Sequence, residues 1–149
     1  MTGALVTGAG HRLGRAMAVY LAKRGHDVAV HFASSDSGAK QTVAEIEALG
    51  RRAVALQADL LDEEATQGLF DRALTALDIP ITCLVNNASI FEYDSLETAT
   101  RASWDRHINS NLRAPFILTQ AMAAQALEPG FDDMGEPVAS GLILNMADQ

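Results

Sequence analysis

Thr7-Gly8-Ala9-Gly10-His11-Arg12-Leu13-Gly14 is the stretch whose reading decides the fold. Before it runs a short apolar strand, Ala4–Thr7. After it, from about His11 to Arg24, Leu13, Met17, Tyr20 and Leu21 recur on one helical face. A glycine-rich turn between strand and helix suits a pyrophosphate. Glycine permits a tight turn and close backbone approach, and the helix N-terminus offers unpaired N–H groups and a positive dipole end. The spacing is not G-x-G-x-x-G, because Leu13 stands where the third glycine would be, and no G-K-[ST] follows to make a P-loop.

Outward from this turn, strand and helix patterns alternate. Gly25 stops the first helix, and Asp27–Phe32 reads as a second strand. Ser34–Gly38 reads as a turn, Ala39–Leu49 as a helix ending at Gly50, and Arg52–Ala58 as a third strand. Asp62–Leu77 is a helix with acids in its first turn, which complement the macrodipole. Pro80 precedes a fourth strand, Ile81–Asn86. Ser103 reads as the N-cap of a long helix running to about Leu127. Glu128–Ser140 reads as a loop and Leu142–Met146 as a fifth strand. Short apolar strands joined by helices imply an α/β fold, a doubly wound parallel sheet covered on both faces. The expected order is 3-2-1-4-5, with a ligand crevice at the carboxyl ends of the first and fourth strands. Residues 1–149 form one dinucleotide-binding domain on this reading. Ending just after a fifth strand, it lacks the later strands of such sheets, as the first part of a longer protein would.

Composition narrows the function classes. The chain has 149 residues, with 11 Lys and Arg against 19 Asp and Glu, a net charge of −8. That balance speaks against nucleic acid as a partner, which calls for a basic face. Hydrophobic residues at 48% can build a core. Cys83 alone gives no internal disulfide, and the four histidines lack metal-ligand spacing. No metal is expected. With no membrane-length apolar run and no secretory pattern at the start, a cytoplasmic protein is expected.

Thr7-Gly8…Gly14 resembles the T-G-x-x-x-G-x-G cofactor motif of the short-chain dehydrogenase/reductases. Three further segments fall in that family's order: Asp59-Leu60 after the third strand, Asn86-Asn87-Ala88-Ser89 ending the fourth, and Asn111 within Asn109-Ser110-Asn111-Leu112. The resemblance implies a Rossmann-type sheet that binds the cofactor through Thr7, Gly8, Gly10, Arg12, Leu13 and Gly14, with Asp59 and Leu60 near the adenine. Asn86, Asn87 and Ala88 line the site, and Asn111 helps hold a water in a proton relay.

Departures from the family pattern point to one branch. Arg12 replaces the middle glycine, Ser89 replaces the last glycine of N-N-A-G, and Asp148 stands where most members carry a catalytic Ser. Together these resemble the pteridine reductases, in which the Asp contacts the pterin and the substrates are dihydropteridines and dihydrofolate. The family's Tyr-x-x-x-Lys does not occur here: Arg24 follows Tyr20 by four residues, and Glu97 follows Tyr93. The expected function is an NADP(H)-dependent oxidoreductase acting on a pteridine-like small molecule. The alternatives are a carbonyl or 3-oxoacyl reductase and a non-catalytic dinucleotide-binding sensor.

The cofactor choice rests on the end of the second strand, His31-Phe32-Ala33-Ser34-Ser35. An acid about 20 residues past the glycines would bind a ribose 2′-hydroxyl and favour NAD. Ser34 and Ser35 instead accommodate a 2′-phosphate, with Arg12 as charge partner. NADP(H) is favoured, and Asp36 keeps NAD open. His107 reads as part of a solvated helix face and Cys83 as a buried small hydrophobe. Trp104, Ile108 and Leu112 form an apolar line that Ile117, Ala121 and Met122 widen beyond one buried stripe. That width suggests a homo-oligomer, dimer or tetramer, built partly on this helix.

Overall fold

The computed structural model describes residues 2–147. Five parallel strands form the sheet: β1 (Thr2–Val6), β2 (His26–Phe32), β3 (Ala53–Gln57), β4 (Ile81–Asn86) and β7 (Leu142–Asn145). Their order is β3-β2-β1-β4-β7, the expected 3-2-1-4-5 arrangement with β7 as the fifth sheet strand. Ala4 of β1 pairs with Val28 on one side and Cys83 on the other.

Alternation along the strands sends side chains to two cores. Leu5, Ala29 and Leu84 meet α3 (Glu63–Leu77) and α5 (Ala114–Ala124) through Leu69, Phe70 and Leu118. Ala4, Val6, Val28, Val30, Cys83 and Val85 meet α1 (Arg12–Lys23) and α2 (Asp36–Ala48) through Ala18, Ala22 and Ile46. Each fully buried Leu, Ile or Phe contributes about 1.5–3 kcal/mol. Cys83 is buried as expected, and burial pushes its thiol pKa up.

Local chemistry moved several boundaries. Helix α2 starts at Asp36, inside the expected turn, because Asp36 occupies the first turn and pairs with Lys40 one turn on. The long helix begins earlier, as α4 (Arg101–Ile108), because Thr100 and not Ser103 is the N-cap. Ser103 closes a capping box with it, Thr100 Oγ1 accepting from the Ser103 N–H and Ser103 Oγ accepting from the Thr100 N–H. A π-turn, Asn109–Arg113, separates α4 from α5. Helix α5 ends at Ala124, short of Leu127, where Gln125 turns extended. Its side-chain amide accepts from the Ile81 N–H (2.9 Å) and donates to the Ile81 carbonyl (2.8 Å). Gln125 thus completes β4 at a residue for which β7 has no partner, since their pairing starts at Cys83.

The segment expected to be a plain loop contains a small hairpin, β5 (Gly130–Phe131) with β6 (Pro137–Val138), closed by Asp132 accepting from the N–H groups of Met134 and Glu136. Among the described residues, no helix is long and apolar enough to cross a membrane.

Candidate functional site

The carboxyl ends of β1, β4 and β7 open into a cleft of about 1300 Å³, at the point where the strand order reverses. Its walls are the glycine loop, the end of β2 through Ser35, the segment Asn86–Phe91, and His107, Asn111 and Phe116 from the helical side. Of the sequence-selected residues, Gly8, Gly10, Arg12, Leu13, Gly14, Ser34, Ser35, Asn86, Asn87, Ala88 and Asn111 all line it.

Thr7, Asp59 and Leu60 do not. Thr7 is buried, and its hydroxyl accepts from the N–H groups of Asn87 (2.9 Å) and Ala88 (3.0 Å) while donating to the Val85 carbonyl (3.3 Å). It braces the ends of β1 and β4 against each other. Leu60 packs into the core. Asp59 is exposed and accepts from the Leu61 N–H. Asp148 lies outside the described residues.

The glycine loop is fixed from below. Asn87 Nδ2 donates to the carbonyls of Thr7 (2.9 Å) and Gly8 (3.3 Å). The N–H groups of Thr7, Gly8 and Ala9 point inward, to the Val85 carbonyl, His31 Nδ1 and the His31 carbonyl. Those amides are therefore spent on the fold. The donors that remain for an anion are the N–H groups of Gly10, His11 and the first turn of α1, whose N-cap His11 makes no side-chain cap. Both flanking helices press on the loop at bare glycines. A Cβ on Gly14 would lie 2.2 Å from the Gly8 carbonyl oxygen and 2.6 Å from Asn87 Nδ2, and one on Gly38 would lie 2.2 Å from the Gly10 carbonyl oxygen. Thr42 of α2 donates to the Ala9 carbonyl at 2.9 Å. An uncapped helix start above a glycine cradle fits a pyrophosphate, and Ser34, Ser35 and the exposed Arg12 line the same cleft.

Arg12 has φ +48°, in the left-handed region, at the position where the family motif carries glycine. A side chain there costs about 1–2 kcal/mol.

Asn111 sits in the π-turn, an element frequent at functional sites. Its Oδ1 accepts from the Ile90 N–H (2.9 Å) and its Nδ2 donates to the Ile90 carbonyl (2.8 Å). These two bonds begin a set that straps residues 90–94 to the π-turn and α4. His107 Nε2 accepts from the Glu92 N–H (3.0 Å), Glu92 accepts from Arg106 (2.8 Å), and Ser103 Oγ donates to Asp94 (2.7 Å). Hydroxyls of Ser103 and Thr98 hold the Asp94 carboxyl below its usual pKa. Positions 90, 92 and 94 bind the helix, so Phe91 and Tyr93 stay exposed, Phe91 in the cleft wall. His107 is thus an anchor of this strap, with Nδ1 on the Ser103 carbonyl, and not a solvated side chain. At the strand ends, Asn86 Nδ2 donates to Asn145 Oδ1 (2.8 Å) and ties β4 to β7.

Sequence reading missed His31, Gly38 and Thr42. His31 is 1% exposed, and burial pushes its pKa down to about 4. Among the described residues no cluster of three His, Cys, Asp or Glu is placed to hold a metal.

Fold and cleft together define a doubly wound α/β unit shaped for a dinucleotide. Residues 2–144 match the family model for short chain dehydrogenases, and the chain belongs to that family. It is 36% identical over 126 residues to an L-rhamnose 1-dehydrogenase (NAD(P)(+)) of Sphingomonas sp. (strain SKA58), covering 85% of this chain and 49% of that protein. A short chain dehydrogenase from Burkholderia cenocepacia J2315 in complex with NADP superposes with a TM-score of 0.79 at 43% identity, covering 83% of this chain and 50% of the other. FolM alternative dihydrofolate reductase 1 from Brucella suis, also in complex with NADP, gives 0.82 at 34% identity, covering 95% and 55%. The chain spans about half the length of the relatives it matches.

Proposed function

We propose that the protein is an NADP(H)-dependent reductase acting on a pteridine- or dihydrofolate-like substrate. The observation that carries the cofactor half is the glycine cradle under an uncapped helix start, sharing its cleft with Arg12, Ser34 and Ser35. The first turn of α1 would hold the pyrophosphate. Arg12 and the two serines would take the 2′-phosphate, which a carboxylate at the end of β2 would repel. Asp59, exposed beyond the end of β3, would flank the adenine, with Leu60 beneath it in the core. The cofactor, when bound, supplies the hydride.

The residues of the chain then hold and exclude. The exposed ring of Phe91 offers a flat apolar surface in the cleft wall, suited to a flat heterocycle. Asn111 serves the proton relay through the main chain of its π-turn, because its side-chain amide is committed to Ile90. Asp148, three residues beyond Asn145 in sequence, orients the substrate, since a carboxylate accepts the several N–H groups of a pterin edge where a hydroxyl offers fewer acceptor sites. The FolM relative, named an alternative dihydrofolate reductase, supports this branch. The exposed side chains of Trp104, Leu112 and Phe116, on α4, the π-turn and α5, fit a contact with a second copy in a homo-oligomer.

The test is Asp148→Ser in the full-length protein. kcat/KM for dihydrobiopterin or dihydrofolate should fall roughly tenfold or more, since a lost charge-assisted hydrogen bond costs ~1.5–3 kcal/mol, while the NADPH Kd stays near wild type. Wild-type protein that reduces simple ketones and no pteridine would replace the substrate half of this reading with a carbonyl reductase.

A further inference from the structure

We infer that His31 is a positioning residue for the cofactor: its buried side chain and carbonyl lock the glycine loop to the ends of β2 and β3, so that the segments gripping NADP(H) form one body. The inference rests on the cofactor reading above and assigns a residue that reading leaves idle.

His31 is the penultimate residue of β2. Its Nδ1 accepts from the Gly8 N–H at 3.1 Å, which leaves the ring proton on Nε2, where it donates to the Ala58 carbonyl at 3.1 Å. One neutral tautomer satisfies both bonds. The His31 carbonyl accepts from the Ala9 N–H at 2.8 Å, and the Ala58 N–H donates to the Phe32 carbonyl at 3.1 Å. Three segments converge here: the glycine loop, the end of β2 that leads to Ser34 and Ser35, and the end of β3 that leads to Asp59.

Space filling alone does not call for an imidazole. The neighbouring buried positions of β2 are Ala29, Val30 and Phe32, and a hydrocarbon at 31 would avoid the desolvation that lowers the ring's pKa. What an imidazole adds is an acceptor for an inward-facing N–H that must find a partner, together with a donor on its opposite edge. The ring fixes the Thr7–Gly8 peptide by its N–H, and the His31 carbonyl fixes the next peptide through the Ala9 N–H, so that residue 31 grips both sides of Gly8, against whose carbonyl Gly14 and the start of α1 are packed. The His31 side chain therefore acts on the anion-binding turn through the Thr7–Gly8 peptide, the first of the two that set Gly8.

Three variants separate positioning from mere packing. His31→Asn places an oxygen near the Nδ1 position and keeps the Gly8 bond. His31→Gln places its amide nearer the Nε2 position and keeps the Ala58 bond. His31→Leu loses both. In the protein carrying each variant, with folding checked by circular dichroism, NADPH Kd is measured by fluorescence titration and Gly8 amide exchange by NMR. His31→Leu should weaken NADPH at least tenfold, about 1.4 kcal/mol, and speed exchange at Gly8. His31→Asn should stay within about threefold of wild type with Gly8 protected, and His31→Gln should resemble Leu. If His31→Leu does not fold, the Asn and Gln pair decides by the same measurements. NADPH binding that is equal in wild type and folded His31→Leu, or equally weakened in Asn and Gln, overturns the inference and leaves the cofactor reading standing. Wild-type protein that binds neither NADPH nor NADH overturns both.

Discussion

Replacing Gly14 tests the cradle most directly. Its would-be Cβ lies 2.2 Å from the Gly8 carbonyl oxygen, 2.8 Å from the Gly8 carbonyl carbon and 2.6 Å from Asn87 Nδ2. Comfortable heavy-atom contact begins near ~3.5 Å, so the first turn of α1 must draw back from the loop by roughly 1 Å. Two of the three atoms are backbone and cannot swing aside. The third belongs to the amide that bonds Thr7 and Gly8. Overpacking of this kind costs about 1–3 kcal/mol, offset for alanine by up to about 1 kcal/mol of helix propensity. At ~2–4 °C per kcal/mol for a chain of this size, Gly14→Ala should lower Tm by a few degrees, and β-branched Gly14→Val by more.

The effect on ligand should be larger than the effect on fold. The displaced turn carries the N–H groups proposed to meet the pyrophosphate, and a 1 Å error in a positioned group can cost about a hundredfold. NADPH binding by fluorescence titration should fall at least tenfold in Gly14→Ala and be lost in Gly14→Val, with far-UV circular dichroism nearly unchanged. Gly68, in α3, is the control. Nothing lies within 4 Å of its Cβ position, so Gly68→Ala should bind normally and gain up to about 1 kcal/mol of stability. A folded Gly14→Val protein with wild-type NADPH affinity would refute the reasoning and put the cofactor elsewhere.

Wild-type protein should bind NADPH at least tenfold tighter than NADH, a gap of about 1.4 kcal/mol, and equal affinities would remove the assignment of Arg12, Ser34 and Ser35. Arg12→Ala should narrow that gap, whereas Arg12→Gly should narrow it while also raising Tm by a few degrees, because it relieves the left-handed backbone at φ +48°. For His31, burial lowers the folded pKa to about 4 from 6.5, with the Ala58 bond and Asp59 opposing and Arg72 adding to the shift. The unfolded chain therefore binds the proton more readily between those values, so the stability linked to this ring is full above pH 6.5 and is lost as pH falls through about 4. The shift corresponds to ~3 kcal/mol, and the fall in Tm between pH 7 and 4 should be several degrees smaller in His31→Asn than in wild type. Trp104→Glu with Phe116→Glu should shift the sedimentation coefficient from oligomer to monomer, and wild-type protein that sediments as a monomer would dismiss the proposed contact.

The sheet order was legible because its signals are local. Alternating strand and helix patterns, each closed by glycine, proline or an acid-rich first turn, leave few ways to wind a parallel sheet. The glycine loop is legible for the same reason: Gly8, Gly10 and Gly14 sit within eight residues, and the close approaches at each follow from backbone geometry. What stayed hidden depends on partners distant in sequence. His31 looks like any polar residue in an apolar strand until folding brings Gly8, 23 positions away, to its ring. Thr7 was placed correctly in the motif, but its hydroxyl turns out to hold β4 and not the ligand, a distinction made by atoms 78 to 81 residues on. The π-turn is invisible for another reason. Its apolar residues continue the spacing of α4 and α5, and one extra residue per turn leaves no compositional mark. Asn111 lies within the π-turn, and its amide clamps Ile90 and, with the His107, Arg106 and Ser103 contacts, turns an irregular loop into an alternating strap that leaves Phe91 exposed in the cleft wall. The sequence motif names Asn111 as a site residue. The structure adds what the motif does not carry: Asn111 stands in a π-helical segment, and its amide together with side chains of α4 holds one wall of the cleft.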